Sequence, residues 1–256
     1  MTPVRGGPRS APGSPVDALL RGAIVFHLVL LGAALWLDPR QARIIGWLER
    51  HLFTPAFWES YARVMERSLF DDGVPGGSDV GVLFVLACLL GWLALVLRAA
   101  IARARGSARG AGAYRRWRRL LGFVVLTGLV FGVLVVHGLK TLVGRARPAR
   151  VFEAPELYSP WVGPGAEFLD GAGSSFPSGH TATVMLLSTV PYALRRTSPK
   201  AATLAFLGVL VFAYAMALGR CVAAHHWFSD TVASIVLCLV LLAPLERVAL
   251  GRQGMR

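Results

Sequence analysis

Acidic residues are scarce in this chain. Asp and Glu number 14 against 27 Lys and Arg, and only 16% of the 256 residues are charged. Soluble domains carry about 25% charged residues, so an ordinary cytosolic fold is excluded. Lysine is nearly absent as well: Lys140 and Lys200 are the only two, and every other cation is arginine. The three cysteines (Cys88, Cys221, Cys238) lie far apart and match no disulfide framework, metal knuckle or redox pair. There is no internal repeat and no sign of a second domain. What the chain has in excess is apolar surface, at 55% of residues, and such a sequence reads as an integral membrane protein. Residues 1–16, rich in Pro, Gly, Ser and Arg, are expected to form a disordered tail, followed by one membrane domain over 17–250.

Six stretches approach the length of about 20 residues that a bilayer crossing needs: 21–37, 80–97, 120–139, 178–194, 201–218 and 229–246. The expected fold class is therefore all-α, a six-transmembrane-helix bundle. With both termini cytoplasmic, the inner segments hold 17 of the 27 basic residues and only two acids, Asp17 and Glu246. That asymmetry is the positive-inside pattern. It also accounts for the Arg-rich segment 98–119 through topology and anionic headgroups, so no nucleic acid partner is inferred. Between the first two spans, residues 41–70 are too charged to cross. Their apolar residues (Ile44, Ile45, Leu48, Leu52, Trp58, Tyr61, Met65) recur at helical intervals, which predicts one or two amphipathic helices in the outer interface. A structural flap is the preferred reading of that segment over a rim that guides lipid. The Gly128-x3-Gly132 pair reads as close helix packing.

Three polar clusters are costly at a membrane surface unless used. They are Lys140-x6-Arg147-Pro148, Pro177-Ser178-Gly179-His180 and Arg220-x5-His226-x3-Asp230. The topology above puts all three on the outer face, an outcome their spacing did not impose. Lys140, Arg147 and Arg220 supply three cations, more than one carboxylate needs and suited to a phosphate dianion. Ser178 and Gly179 open a helix, whose free N–H groups and dipole favour an anion. His226 and Asp230, four apart, share a helix face. Asp230 is expected to take the proton of one imidazole nitrogen and leave the other free to attack. His180, beside the phosphate cradle, is placed to protonate a leaving oxygen. Asp230 is the sole acid in the three motifs, so a metal-independent reaction without cofactor is expected.

These motifs resemble the three-part signature of the type 2 phosphatidic acid phosphatases, a superfamily that also includes vanadium-dependent haloperoxidases. The resemblance spans roughly residues 80–246. It implies six membrane helices, a phosphohistidine on His226, acid–base work by His180, and phosphoryl binding by Lys140, Arg147, Arg220, Ser178 and Gly179. One departure is Gly219, where the family usually has serine. Arg145 is read either as a contact to a second phosphate or as the partner of an outer-loop acid (Glu153, Glu156, Glu167, Asp170). His225 is assigned a packing or interface role, His137 an interhelical hydrogen bond, and Trp227 a place in an interfacial belt.

The function expected is a lipid phosphate or diphosphate phosphatase of the cytoplasmic (inner) membrane, with its active site periplasmic. The candidate substrates are undecaprenyl diphosphate, phosphatidate, phosphatidylglycerophosphate and the lipid A 1-phosphate. The competing readings are a non-enzymatic lipid or anion carrier and a vanadate-dependent haloperoxidase.

Overall fold

The computed structural model describes residues 15–67, 80–107, 115–158, 175–195 and 197–250, and among these there is no strand. The main helices are α1 (Pro15–Leu37), α2 (Gln41–His51), α3 (Pro55–Arg67), α4 (Val80–Ala104) and α5 (Arg115–Thr127). α5 runs on through a π-helical stretch, Gly128–His137, into α6 (Gly138–Val143). Then follow α7 (Pro148–Glu153), α8 (Gly179–Leu186), α9 (Thr189–Leu194), α10 (Pro199–Val222) and α11 (Phe228–Leu250). The chain is an all-α, multi-pass membrane protein.

Among the described residues, five helical runs are long and apolar enough to cross a membrane: Pro15–His51, Phe84–Ala104, Trp117–Lys140, Pro199–Val222 and Phe228–Ala249. The expected fourth span, 178–194, is instead broken into α8 and α9. Ser188 Oγ donates to the Met185 carbonyl (2.6 Å) and Thr189 Oγ1 to that of Leu186 (2.7 Å), drawing the backbone away from the regular ladder. Pro191, two residues later, has no N–H to offer Leu187. The α8–α9 pair packs inside the bundle against α10 and α11.

Most of the expected tail lies outside the described residues. Its last two residues, Pro15 and Val16, already belong to α1, and Val16 is fully buried. The segment 41–70 forms two helices, as its periodicity suggests, up to Arg67. The second, α3, lies against α10: Tyr61 donates its hydroxyl to the Ala215 carbonyl (2.5 Å). It approaches so closely at Gly219 that a Cβ there would sit 2.7 Å from Met65 Cβ. This explains the departure from serine at that position.

The core runs along α11, whose Ile235, Cys238, Leu239 and Leu242 are fully buried. First and last helices are neighbours, since α1 packs along α11. Such faces are held by close van der Waals packing, because lipid tails are as apolar as the side chains they would replace, while Val25, Phe26 and Val29 on the outer side of α1 stay exposed, as a lipid-facing surface requires. At one end of the bundle Arg195 (2% exposed) gathers both acids of the expected inner segments. Its Nε meets Asp17 at 2.6 Å, and its Nη1 and Nη2 meet Glu246 at 2.8 and 2.7 Å. Three chain segments assigned to one membrane face by charge counting thus meet in one ion cluster.

Candidate active site

Each of the three motifs sits where a helix begins or ends. α6 stops at Gly144, whose left-handed backbone (φ 53°) is open to glycine at little cost. The turn delivers Arg145 and Arg147, and Pro148 starts α7 with its fixed φ. Ser178 is the N-cap of α8, and Gly179 and His180 are its first two residues. Arg220 closes α10, and the connection to α11 carries Ala224 in the left-handed region (φ 53°), a backbone state rarely adopted by alanine. The Arg220 carbonyl accepts from both His225 N (3.1 Å) and His226 N (3.3 Å), which folds that turn back on its own helix.

One cavity of about 490 Å³ brings the motifs together: Lys140, Arg147, Gly179, His180, Arg220 and His226 all line it. Its remaining wall is mainly apolar, from Val85 and Leu86 of α4, Leu129, Val133 and Val136 of the π-helical stretch, and Leu186 of α8, with His137 and Thr183 the polar members. Gly128 and Gly132 also face it. Gly128 serves close packing as expected, since a Cβ there would meet Val85 Cγ2 at 2.8 Å.

Two predicted site residues stand behind the cavity rather than on it. The Ser178 hydroxyl caps α8, accepting from Thr181 N (3.5 Å) and Thr181 Oγ1 (3.1 Å), and the residue is fully buried. Asp230 is likewise fully buried. His226 and Asp230 do not share a helix, because His226 precedes α11 and Asp230 lies in its first turn. There Asp230 Oδ2 reaches back to Trp227 N (2.9 Å), the reciprocal half of a capping box. The same oxygen accepts from the Ser175 hydroxyl, and Oδ1 accepts from Arg145 Nη1 (2.5 Å).

The carboxylate so engaged lies 3.8 Å from His226 Nδ1. The hydrogen bond of that nitrogen goes elsewhere, to the Ser175 carbonyl at 2.6 Å. A carbonyl only accepts, so Nδ1 carries the proton and Nε2 keeps its lone pair. This corrects the expected direct proton acceptance by Asp230: Ser175 O fixes the tautomer, and Asp230 supplies negative charge from just beyond hydrogen-bond range. Burial, working against the opposing pull of Asp230, holds the His226 pKa down at about 4. The ring is therefore neutral at physiological pH.

Of the candidate outer-loop partners of Arg145, Glu167 and Asp170 lie outside the described residues. Arg145 pairs with Asp230 and with Asp38, at 2.9 Å, under the Trp227 ring. Trp227 itself is 2% exposed, not a belt residue, and its Nε1 donates to the Ala146 carbonyl (2.9 Å). His225 Nδ1 accepts from Arg220 Nη2 (2.5 Å) and so orients a cavity arginine, a role beyond packing. Among the described residues no group of three or more His, Cys, Asp or Glu side chains is gathered to hold a metal.

Residues 121–251, about half of the chain, match the PAP2 superfamily. The chain belongs to that superfamily. All three PAP2 motifs fall within the match, and membership supports a phosphatase acting on membrane lipids. A structure described as the first transmembrane PAP2-type phosphatidylglycerolphosphate phosphatase from Bacillus subtilis is similar over 93% of this chain and 98% of that one. The identity is 17% and the TM-score 0.48. No curated protein matches the sequence.

Sequence reasoning missed three residues of this PAP2 site, namely Ser175, Asp38 and Gln41. Asp38 carried a usable signal, an acid at the very end of an apolar span. Ser175 acts through its carbonyl as well as its hydroxyl, and Gln41 through its amide to the main chain, so neither follows from motif spacing.

Proposed function

We propose that this protein is a lipid phosphate or diphosphate phosphatase whose cavity opens on the periplasmic face of the cytoplasmic membrane, and that it works through a phosphohistidine. Lys140, Arg147 and Arg220, with the N–H groups at the start of α8, bind the phosphoryl oxygens. His226 Nε2 attacks phosphorus in line, and the bond from phosphorus to the lipid oxygen breaks. His180 gives that oxygen its proton. His180 then takes a proton from water, the resulting hydroxide attacks phosphorus, and the P–N bond breaks. Inorganic phosphate leaves and the neutral imidazole returns. Asp230 stabilises the positive ring in the intermediate.

The observation that carries this reading is the two-part cavity: a cationic end holding His180 and His226, continuous with a mainly apolar wall between α4 and the π-helical stretch. A free phosphate ester needs only the first part. A lipid needs both, head at the cations and chain along the wall.

The test is phosphate release by the purified protein from undecaprenyl diphosphate, phosphatidate, phosphatidylglycerophosphate and lipid A, with acid-labile phosphoprotein trapped during turnover. At least one lipid is expected to be hydrolysed, and His226→Ala to abolish both release and trapping. Wild-type turnover in His226→Ala would overturn the mechanism.

A further inference from the structure

The support behind His226 comes from residues at positions that no motif specifies, two of them, Asp38 and Gln41, outside the PAP2 match altogether. Asp38, in the turn after α1, is fully buried. Its Oδ1 accepts from Ser229 N (3.1 Å), and its Oδ2 from Ser229 Oγ (2.5 Å) and Arg145 Nη2 (2.9 Å). Arg145 forks between Asp38 and Asp230, and its Nη1 also donates to Ser229 Oγ (2.7 Å). Gln41, fully buried at the start of α2, donates from Nε2 to the carbonyls of His226 (2.9 Å) and Cys221 (3.3 Å). Its Oε1 accepts from Phe228 N (3.0 Å). The main chain on both sides of His226 is thus tied to residues nearly two hundred positions earlier.

Burying one guanidinium between two carboxylates is costly, and well-packed apolar side chains would serve stability as well or better. What the arrangement does accomplish is orientation. Arg145 takes Oδ1 of Asp230, leaving Oδ2 near His226 Nδ1 but occupied by Ser175 and Trp227. The imidazole Nδ1–H stays directed at the Ser175 carbonyl, and Nε2 stays aimed into the cavity.

We propose that Asp38, Gln41 and Arg145 are positioning residues for His226: they clamp the 223–228 turn and the Asp230 carboxylate so that Nε2 faces the phosphoryl site. This rests on the reading of His226 as nucleophile.

The test uses the full chain in detergent–lipid micelles with phosphatidate as probe, comparing wild type with Arg145→Gln, Arg145→Lys, Asp38→Asn and Gln41→Met. Because a reacting group displaced by about 1 Å can cost roughly 100-fold, Arg145→Gln and Asp38→Asn are expected to lower kcat by more than about 10-fold. KM should stay within about twofold, and Arg145→Lys should fall between wild type and Arg145→Gln. The groups facing His226 are Asp230, Lys140, Arg220 and His180, with His225 beside it in the turn. None is altered, so the acid limb of kcat/KM reports on Asp230. It should move up in Arg145→Gln, which leaves Asp230 uncompensated, and down in Asp38→Asn, which leaves Arg145 wholly to Asp230. A purely structural role would move neither limb. Should either charge variant fail to fold, Gln41→Met, which breaks only main-chain ties, must still lower kcat at unchanged KM. Unchanged kcat in the folded variants, or losses confined to KM or to the yield of folded protein, would overturn the proposal. Turnover surviving in His226→Ala would instead sink the nucleophile reading itself, so the two failures are separable.

Discussion

Replacing Gly219 with serine, the residue the family resemblance leads one to expect, should harm this protein. The new Cβ would lie 2.7 Å from Met65 Cβ, 2.9 Å from Met65 Cγ and 3.6 Å from Tyr61 Cε1. Carbon atoms rest comfortably at about 3.5–4.0 Å. Met65 Cβ is fixed to the backbone, so no change of rotamer relieves the contact and α3 must withdraw by about 1 Å. Withdrawal breaks the Tyr61–Ala215 hydrogen bond. Overpacking of this kind costs about 1–3 kcal/mol and the lost hydrogen bond about 1 kcal/mol more. At about 2–4 °C per kcal/mol, the melting temperature in detergent should fall by roughly 5–15 °C. Tryptophan fluorescence is a suitable readout because Trp58 sits in α3, buried. A companion Met65→Gly change removes the opposing Cβ and should restore much of the loss. Met65→Ala keeps that carbon and should restore less. If Gly219→Ser melts with the wild type, or if Met65→Ala rescues as fully as Met65→Gly, the steric account is wrong.

Activity should persist unusually far into acid. The neutral, attacking form of His226 is present above a pKa of about 4 and is lost as pH falls through it. Once the substrate phosphate's own ionisation near about 6 is factored out, the acid limb of kcat/KM is expected near 4, and a limb at the ordinary histidine value would contradict the burial argument. Filling the apolar wall with Gly132→Leu should cut kcat/KM for a long-chain lipid phosphate by about 10-fold or more, since the added side chain takes the space of the lipid chain and such overpacking costs about 1–3 kcal/mol. A water-soluble short-chain phosphate ester should be hydrolysed as before, and equal losses on both would refute the two-part cavity. Arg195→Met removes the guanidinium that Glu246 and Asp17 share and should cost about 3–5 kcal/mol. Adding Glu246→Leu should recover part of that loss in the same melting assay, whereas a further drop would argue against a buried-charge penalty.

How far the sequence foretold this molecule depends on the kind of interaction. Helix class and the five membrane-length apolar helices among the described residues were legible, because hydropathy over about 20 residues is a strong, local signal. The break at Leu187–Ser188 was not, since it turns on hydroxyl-to-carbonyl bonds that a hydropathy window averages away. Lys140, Arg147, Gly179, His180, Arg220 and His226 were legible as a group, and they do share one cavity. The partner of the His226 proton was not, because a backbone carbonyl has no residue type to search for. Arg145 shows the limit in reverse: its charge demanded a partner, and among the described residues it meets Asp230 and also Asp38, more than a hundred residues upstream. His27 is similar, having no partner in sequence yet meeting the Tyr214 hydroxyl at 2.6 Å.

The adjacency of α1 and α11 bears on biosynthesis. A ribosome delivers residues at about 5–20 per second, so the opening helix waits some tens of seconds in the bilayer before its final neighbour arrives. The turn bearing His226 emerges only just ahead of that neighbour. The α1–α11 contact, and with it the fixing of that turn, therefore belongs to a late step of assembly.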